Sequence, residues 1–540
     1  MSGCSGSSSS GAGGDGPILT AYNGASGAFV KNFNPLSPTV RSGVRGMIYE
    51  PLFFFNNQAP LDTEPTPLLG QDYSFDKTGK VLSVTLRKGV KWSDGKPFTA
   101  SDVAFTMNLI RATPSVDVSG NTPKARATDA THVVLTFDRP SFTTGPQVLG
   151  QTYIVPEHTW KSVKNPATFV NAQPVGTGPL VMSSFSSQSY LMKKNPRFRG
   201  ASKLQVGGVR FTSLSGNESA TNDVLANKLD WAGIFVPDVR KVLRDHKNVK
   251  FTPYGSQQIV LNTCSNPDLG CTGPQTDPVV RKAISAAINR EQVNKLAYYG
   301  NAAAISPTFA VPGRDDAFIA PDQKGTLPMS AQVPKAEKLL TDDGWAKGSD
   351  GIFKKDGKRL SMDVLVTSGY TDYIATLQAL TSQLKKAGIE IDVRQVANQE
   401  NNNAASLGKF QLQINGLFQG PAADPYYVYD KYFSSHTTAK VGKATSPYDN
   451  VSRFSDEQVD AALKEAAATD DNAKKAAAYA KIQKRIVDDL PYIPIINNKT
   501  FVLYNNQQVT GFPTEDDLYA QPAPNLEPDN GIVLEHLKAK

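Results

Sequence analysis

The sequence predicts an α/β fold with more than one domain, on three observations. Residues 257–497 alternate short apolar segments with amphipathic helical ones, a pattern that is typical of α/β domains. Residues 81–88 alternate apolar and polar side chains with a period of two, which predicts a strand with one buried face. The chain has 540 residues, which exceeds a typical single domain and is enough for a large core.

The first predicted strand lies in residues 17–24, an apolar segment that ends at a glycine. Ligands of α/β sheets bind beyond the ends of strands, so Tyr22, Asn23 and Gly24 are candidate binding residues. Further along, Pro51 indicates that a helix before it ends at the preceding residue, because that residue avoids the helical region.

The next elements are two strands in residues 68–88 and another in residues 132–138. Residues 93–95 form a turn between them, since glycine accepts a positive φ and aspartate can bond its own backbone. Thr99 and Asp102 have the spacing of a capping box, which predicts that a helix begins there.

The second half of the chain carries clear helix boundaries. Asp277 and Pro278 predict a helix start, because proline at the first helical position loses no hydrogen bond. Gly388 is a natural residue to follow a helix end. Ser455 and Gln458 have the spacing of another capping box.

The composition is that of an ordinary globular protein, with 39% hydrophobic and 20% charged residues. The formal net charge is +7, but basic and acidic residues are interspersed, so no nucleic-acid partner is predicted. No apolar run reaches the roughly 18 residues of a membrane-spanning helix.

The N-terminus suggests a lipid anchor. The segment that ends at Cys4 matches the last three positions of a bacterial lipobox, which predicts lipidation of this cysteine. Residues 1–16 are otherwise rich in serine and glycine, a composition that forms a flexible tether. The alternative is an unmodified cysteine in a polar tail.

Two further cysteines favour an exported protein. Cys264 and Cys271 enclose a short loop with no histidine nearby, so zinc is not predicted. A local disulfide fits an oxidising compartment. The alternative is a pair of buried free thiols.

The sequence shows no catalytic constellation and no metal or cofactor motif. There is no HExxH, GxSxG or Walker-type segment, and the histidines occur singly. We therefore predict a binding protein rather than an enzyme, with an unrecognised hydrolase as the alternative, since catalytic triads are spatial rather than sequential. The histidines are His132, His158, His246, His436 and His536.

Several long segments occur in the order that one known family shows. They are LRKGVKWSDGKPFTASDVAF at residues 86–105, PVGTGP at 174–179, the helix at 277–290 and KLLTDDGW at 338–345. Together they resemble the family 5 solute-binding proteins of ABC importers, the dipeptide- and oligopeptide-binding type. The resemblance extends from about residue 18 to about residue 510.

The resemblance implies a periplasmic-binding-protein-like fold of two lobes, with an extra subdomain in the first lobe and a ligand cleft at the hinge. The chain would cross between lobes near residues 256 and 497. The implied parts are a lipoprotein-type tether at 1–16, lobe I at 17–50, 176–256 and 498–540, the extra subdomain at 51–175, and lobe II at 257–497.

The resemblance also implies a function. The chain would be a monomeric extracytoplasmic protein, anchored by lipid to the outer face of the membrane or periplasmic. It would capture a solute by hinge closure and deliver it to the permease subunits of an ABC importer. A peptide-sensing receptor with the same fold, which the sequence does not separate from an importer component, is a further alternative.

The resemblance favours an oligopeptide as the ligand, and a cello- or other oligosaccharide is a nearly equal alternative. Peptide-binding members of the family carry an aspartate for the ligand's ammonium group where this chain has Pro421. The segment at residues 415–429 is closer to that of oligosaccharide-binding members, with aromatic and amide side chains. Asp424 could replace the missing aspartate, so the peptide interpretation remains.

Thirteen residues are predicted to bind the ligand. The amides and aromatic rings suit sugar hydroxyls and ring faces, although core packing is the alternative for each aromatic and turn formation for Asn497. They are Tyr22, Asn23, Gly24, Trp231, Gln257, Asn415, Gly416, Phe418, Gln419, Asp424, Tyr426, Tyr427 and Asn497.

Overall fold

The computed structural model describes residues 16–23, 28–60, 63–117 and 120–540. Cys4, Gly24 and most of the predicted tether lie outside these residues. The described chain forms a mixed ten-stranded sheet, a separate antiparallel sheet of four strands, smaller two- and three-stranded sheets, and helices packed against them. The predicted α/β class is confirmed.

The described residues up to 175 form one strand of the large sheet, a two-stranded sheet and the whole four-stranded sheet. In the latter, the strand order is β4-β5-β7-β6. The predicted capping box is present, since the Thr99 backbone N–H donates to Asp102 Oδ2 at 2.9 Å. The elements are β1 (Ile18–Tyr22), β2 (Phe53–Phe54), β3 (Thr66–Pro67), β4 (Gly70–Phe75), β5 (Val81–Leu86), α1 (Ala100–Arg111), β6 (Lys124–Ala127), β7 (His132–Thr136), α2 (Gly145–Gln151) and α3 (Glu157–Trp160).

The next segment returns to the large sheet. β1 pairs in parallel with β10 on one side and with β11 on the other. The elements are β8 (Leu180–Phe185), β9 (Ser189–Lys194), β10 (Gly208–Thr212), α4 (Asn217–Leu225), β11 (Trp231–Gly233), α5 (Val239–Val242) and β12 (Val249–Thr263).

The remaining chain alternates helices and strands, as predicted for residues 257–497. The Asp277 carboxylate caps the helix that begins at Pro278 by accepting from the Val279 N–H at 2.8 Å. The elements are α6 (Pro278–Ala287), α7 (Arg290–Ala297), α8 (Val333–Asp342), β13 (Ala346–Lys347), β14 (Phe353–Lys355), β15 (Lys358–Arg359), β16 (Ser361–Thr367), α9 (Thr371–Lys386), β17 (Glu390–Val396), α10 (Asn398–Leu407), β18 (Leu412–Phe418), α11 (Tyr426–Phe433), α12 (Glu457–Ala467), α13 (Asn472–Asp489), β19 (Tyr492–Asn505), β20 (Val509–Thr510), α14 (Asp529–His536) and β21 (Lys538–Ala539).

Two local predictions are wrong. No regular helix ends before Pro51, because the wide turn at Val44–Ile48 contains non-helical φ/ψ angles at two of its residues. The cap of α12 is Asp456 rather than Ser455, since the Asp456 carboxylate accepts from the backbone N–H of the second and third helical residues. The Asp456 carboxylate caps the helix instead of the Ser455 hydroxyl because it is one position closer and accepts from two helical N–H groups.

The large sheet has the strand order β17-β16-β18-β12-β19-β11-β1-β10-β9-β8. Its two ends carry separate hydrophobic cores, one around β1, β9 and β10 and another around β16, β17 and α9. We call these ends the first and the second lobe. The four-stranded sheet has a core of its own. The long central strands β12 and β19 pass through the predicted crossing points, while the exact domain boundaries stay a prediction.

The loop after β12 contains a disulfide between Cys264 and Cys271, whose Cα atoms are 5.4 Å apart. Both residues are almost fully buried. Among the described residues, no helix has both the length and the apolar character needed to cross a bilayer.

Candidate functional site

The candidate site lies where β12 and β19 pass between the two lobes. In the antiparallel register Gln257 lies opposite Asn498, and Gln258 opposite Asn497. The register shifts between Gly255 and Gln257, so the regular ladder is interrupted at this crossing. Four amide side chains therefore lie in neighbouring pairs in the middle of the two long strands.

Amide side chains from three segments meet at this crossing. Gln419 Nε2 donates to Asn497 Oδ1 at 3.2 Å. A Cβ atom on Gly255 would lie 3.6 Å from Gln58 Oε1 and 3.7 Å from Gln419 Nε2, so the glycine leaves room for both amides. Gln58 Nε2 in turn donates to Asn57 Oδ1 at 3.0 Å. Such amides can both donate and accept hydrogen bonds without carrying charge.

The second lobe touches the segment after β2 next to these amides. Asn57 Nδ2 donates to the Gly420 carbonyl at 3.1 Å, and Arg314 Nη1 donates to the Asn57 carbonyl at 3.2 Å. Arg314 also forms a buried ion pair with Asp315, with an Nε–Oδ1 distance of 2.7 Å. The segment after β2 and the second lobe are therefore in direct contact beside the crossing.

A cavity of about 260 Å³ opens next to this contact, between the four-stranded sheet region and the second lobe. Tyr427 bounds one side, where its hydroxyl donates to the Thr143 carbonyl at 2.9 Å. Aromatic, polar and charged side chains share the wall. The lining residues are Phe55, Asn56, Pro60, Thr63, Glu64, Pro65, Tyr73, Thr143, Pro146, Ala422, Ala423, Asp424, Tyr427 and Lys475.

Asp424 lies in this wall, but its charge is already matched. Its carboxylate accepts from Tyr479 Oη at 2.6 Å and from the Tyr426 N–H at 2.8 Å, and it lies 3.2 Å from Lys475 Nζ. Burial, followed by the negative charge of Asp424, raises the pKa of Tyr479 well above its usual value, so the phenol remains a donor. Only 5% of Asp424 is exposed. It is a paired carboxylate rather than a free anchor for an ammonium group.

Several predicted residues do meet at the crossing. Gln257 lies opposite Phe418 in the pairing of β12 with β18. A Cβ on Gly416 would collide with the Gln257 side chain, so the glycine allows the two strands to pack here. Phe418 is 42% exposed, so its ring is accessible from solvent. Asn415 is half-buried, and its Oδ1 accepts from the Gly416 N–H at 2.8 Å.

Trp231 and Tyr22 are buried in this structure, and their role in ligand binding stays a prediction. Trp231 is fully buried, and its indole Nε1–H donates to the Pro522 carbonyl at 2.7 Å. Tyr22 is 1% exposed and packs in the apolar cluster that contains Ala232 and Phe501. Trp231 packs in the core of the first lobe, and Tyr22 lies in a separate apolar cluster beside β11 and β19.

The other predicted residues differ in how deeply they are buried and in what they contact. Asn23 is half-buried, and its Nδ2 donates to Ser42 Oγ at 2.5 Å. Tyr426 and Tyr427 begin α11 and are nearly buried, but Tyr427 reaches the cavity described above.

The residues that sequence reasoning missed are those that depend on long-range packing. Asn57 and Gln58 follow an aromatic run, and the three amide residues that come after three phenylalanines are the one local signal for them. Arg314, Thr143 and Lys475 give no local signal, because their roles are set by partners elsewhere in the chain.

Comparison with known proteins identifies the family. The model of "Bacterial extracellular solute-binding proteins, family 5 Middle" matches residues 64–440. Protein XP55 of Streptomyces lividans is 27% identical over 422 residues, covering 77% of this chain and 72% of that protein. The glutathione-binding protein GsiB of Escherichia coli K12 is 24% identical over 510 residues, covering 89% of this chain and 90% of that protein.

Solved structures share the fold. The mannohexaose-bound periplasmic oligopeptide-binding protein of an ABC transporter from Thermotoga maritima has a TM-score of 0.80 at 24% identity, covering 97% of this chain and 98% of that one. NikZ of Campylobacter jejuni, in complex with nickel and L-histidine, has a TM-score of 0.76 at 20% identity, covering 97% and 99%.

The architecture is thus the two-lobed periplasmic-binding-protein-like fold. The chain belongs to family 5 of the bacterial extracellular solute-binding proteins, as its sequence motifs indicated. Its function is therefore that of an extracellular solute-binding protein.

Proposed function

We propose that this chain captures a neutral oligosaccharide at the crossing of β12 and β19, by closing its two lobes around it. The observation that supports a saccharide ligand is the kind of side chain found at the crossing. Gln257 lies opposite both Asn498 and Phe418 in the sheet register, so two uncharged amides and a ring that is 42% exposed share one face. Sugars need this combination, because their hydroxyls bond amides and their apolar ring faces stack on aromatic rings.

The state of Asp424 supports the same choice. A buried ammonium group without an acidic partner is costly. Asp424 already neutralises Lys475, so a peptide N-terminus at this position would compete with an existing ion pair. The mannohexaose complex of the Thermotoga maritima protein is an example of a saccharide bound by this fold.

An oligopeptide is the second candidate, and Glu64 favours it. Glu64 lines the 260 Å³ cavity, and among the described residues it has no hydrogen bond or ion pair. It could therefore receive the ammonium group of a peptide. The glutathione-binding relatives are consistent with a peptide ligand in this family.

Isothermal titration with manno- and cello-oligosaccharides and with short peptides distinguishes the two ligand classes. If a saccharide binds, Phe418→Ala should weaken it at least tenfold, while Glu64→Gln should have little effect. The matched control is Tyr448→Ala, which removes another exposed aromatic ring of the second lobe. Peptide binding that is lost in Glu64→Gln and retained in Phe418→Ala would contradict the saccharide proposal.

We also propose that the chain binds its ligand without converting it. The arrangement closest to a catalytic set is Ser434, whose Oγ lies 2.5 Å from His436 Nδ1 and 3.3 Å from Asp460 Oδ1. Ser434 borders a cavity of about 230 Å³, but it is 2% exposed and its hydroxyl accepts from the His436 N–H as the cap of the turn, so it serves the local structure. Product formed during prolonged incubation with the bound oligosaccharide would show an enzyme instead.

Membrane attachment through Cys4 is part of the proposal and rests on the sequence alone. In a bacterial host that processes lipoproteins, mass spectrometry should find a diacylglyceryl group on this cysteine. The Cys4→Ser variant should be released from the membrane fraction. Retention of this variant in the membrane would contradict the anchor.

A further inference from the structure

A second cavity, of about 620 Å³, lies away from the crossing where three parts of the chain meet. These are the edge of the four-stranded sheet region, the segment after β9 and the C-terminal helix α14. The volume is within the range of small-molecule sites. The lining residues are Thr66, Pro67, Leu68, Arg87, Lys88, Arg199, Gly200, Lys203, Tyr519, Ile532, Glu535 and His536.

Positive charge dominates this wall. Arg87, Lys88, Arg199 and Lys203 all line the cavity, while Glu535 is the carboxylate among the lining residues. Burial lowers the pKa of Arg87, and the positive charge of Arg199 lowers it further. The two guanidinium groups therefore repel each other. Like charges held together in a partly desolvated cavity are stabilised by a counter-anion.

The two arginines are held in place by the protein. Arg87 Nε donates to the Leu68 carbonyl at 2.9 Å, and its Nη2 donates to the Pro67 carbonyl at 3.1 Å. Arg199 Nη1 lies 2.6 Å from the buried Glu50 carboxylate. In the described part of the chain, Arg87 Nη1 has no hydrogen-bond partner. A fixed guanidinium with free donors matches phosphate geometry.

We propose that this cavity binds a multivalent anion of the phosphate type, held by Arg87, Lys88, Arg199 and Lys203. Two sources share this chemistry, namely a soluble phosphate-bearing molecule and the headgroup of an anionic lipid. The site is separate from the crossing of β12 and β19, so it does not depend on the solute that the crossing binds.

Glu535 gives the proposed site a pH dependence. Burial raises the pKa of Glu535 to about 7, while Arg199 and Arg87 oppose this shift and Glu50 adds to it. Lys88, Lys203 and the exposed His536 also face the cavity. Protonation of Glu535 removes a negative charge from the cavity wall, so anion binding should tighten as the pH falls from 8 to 6.

The probe is inorganic pyrophosphate, titrated calorimetrically into the full chain at constant ionic strength, because salt screens such contacts. We expect saturable binding that weakens at least tenfold in Lys88→Gln/Lys203→Gln. Both lysines are exposed, so the variant should fold. The matched control is Lys77→Gln/Lys161→Gln, two exposed lysines outside the cavity. Glu535→Gln should bind several-fold more tightly than the parent at pH 8.

Vesicles distinguish the two sources. Co-sedimentation with phosphatidylglycerol but not phosphatidylcholine vesicles, lost in Lys88→Gln/Lys203→Gln, would identify a lipid headgroup. Pyrophosphate binding without vesicle binding would identify a soluble anion. Absence of saturable pyrophosphate binding, or equal weakening by the control pair, would overturn the proposal whatever the vesicles do.

Discussion

Asp424 is both part of the cavity wall and half of a buried ion pair with Lys475. Asp424→Asn leaves the Lys475 ammonium buried without a counter-charge, and breaking such a pair costs about 3–5 kcal/mol. Lys475→Met should cost less, because Tyr479 and the Tyr426 N–H still bond the carboxylate. The double variant should recover part of the loss.

Urea denaturation of the two single variants and the double variant measures these costs. The exposed pair Lys481 and Glu465 is the control, and its disruption should change the free energy of unfolding by less than about 1 kcal/mol. Additive effects of the two substitutions at Asp424 and Lys475 would contradict a coupled pair.

Single residues also show which features of the structure could not be predicted from the sequence. Phe418 and Trp231 were predicted on the same basis, yet one ring is exposed and the other is sealed in the core. Trp231 lies on a three-residue strand between β1 and β19, and a one-residue change in register would reverse its face. Asp424 lies 51 positions from Lys475, so no local pattern reveals their contact.

At the scale of elements, the sequence predicts those whose signals are local. The cap at Asp277, the glycine after α9 and the alternation in β5 each fix a boundary within a few residues. The path of β12 could not be predicted in this way. It spans both lobes and pairs with β18 and β19, so its register depends on residues more than 150 positions away.

The disulfide after β12 should stabilise the fold without affecting the ligand site. On the chain-entropy view, closing the loop between Cys264 and Cys271 contributes about 2–3 kcal/mol. From Gln257 to Cys264 an extended strand covers roughly 23 Å at about 3.3 Å per residue. Cys264→Ala/Cys271→Ala should lower the melting temperature by several degrees and leave ligand affinity within twofold. A tenfold loss of ligand affinity in this variant would contradict the expectation that the disulfide does not affect the ligand site.

At the scale of the whole molecule, ligand capture depends on the balance between open and closed lobes. Thr143 Oγ1 donates to the Ala466 carbonyl at 2.9 Å across the contact between the four-stranded sheet region and the second lobe. Thr143→Val removes this bond and should disfavour closure by about 1 kcal/mol, which is roughly fivefold in the equilibrium. X-ray scattering during ligand titration should show compaction at several-fold higher ligand concentration.

The control for this test is Thr381→Val, which removes the same kind of bond within α9. Its titration curve should match that of the parent. A parent protein that binds ligand tightly but does not change its radius of gyration would contradict the closure mechanism.

The C-terminal segment makes the stability of the whole molecule depend on pH. Burial raises the pKa of Glu527 to about 7 and that of Asp529 to about 6, with Arg45 opposing the shift at Glu527. The folded state therefore binds protons more tightly than the unfolded state. The stabilisation from Glu527 is fully present below pH 4.5, its ordinary pKa, and is lost as the pH rises through about 7.

Glu527→Gln removes this titration. The free energy of unfolding of the variant minus that of the parent should rise between pH 5 and pH 8, by on the order of 2 kcal/mol. The difference curve is the informative quantity, because other carboxylates titrate equally in both proteins. Glu465→Gln, at an exposed carboxylate paired with Lys481, should give a flat difference curve. A flat curve for Glu527→Gln as well would show that this carboxyl is ionised normally in the fold, and that the C-terminal segment admits solvent.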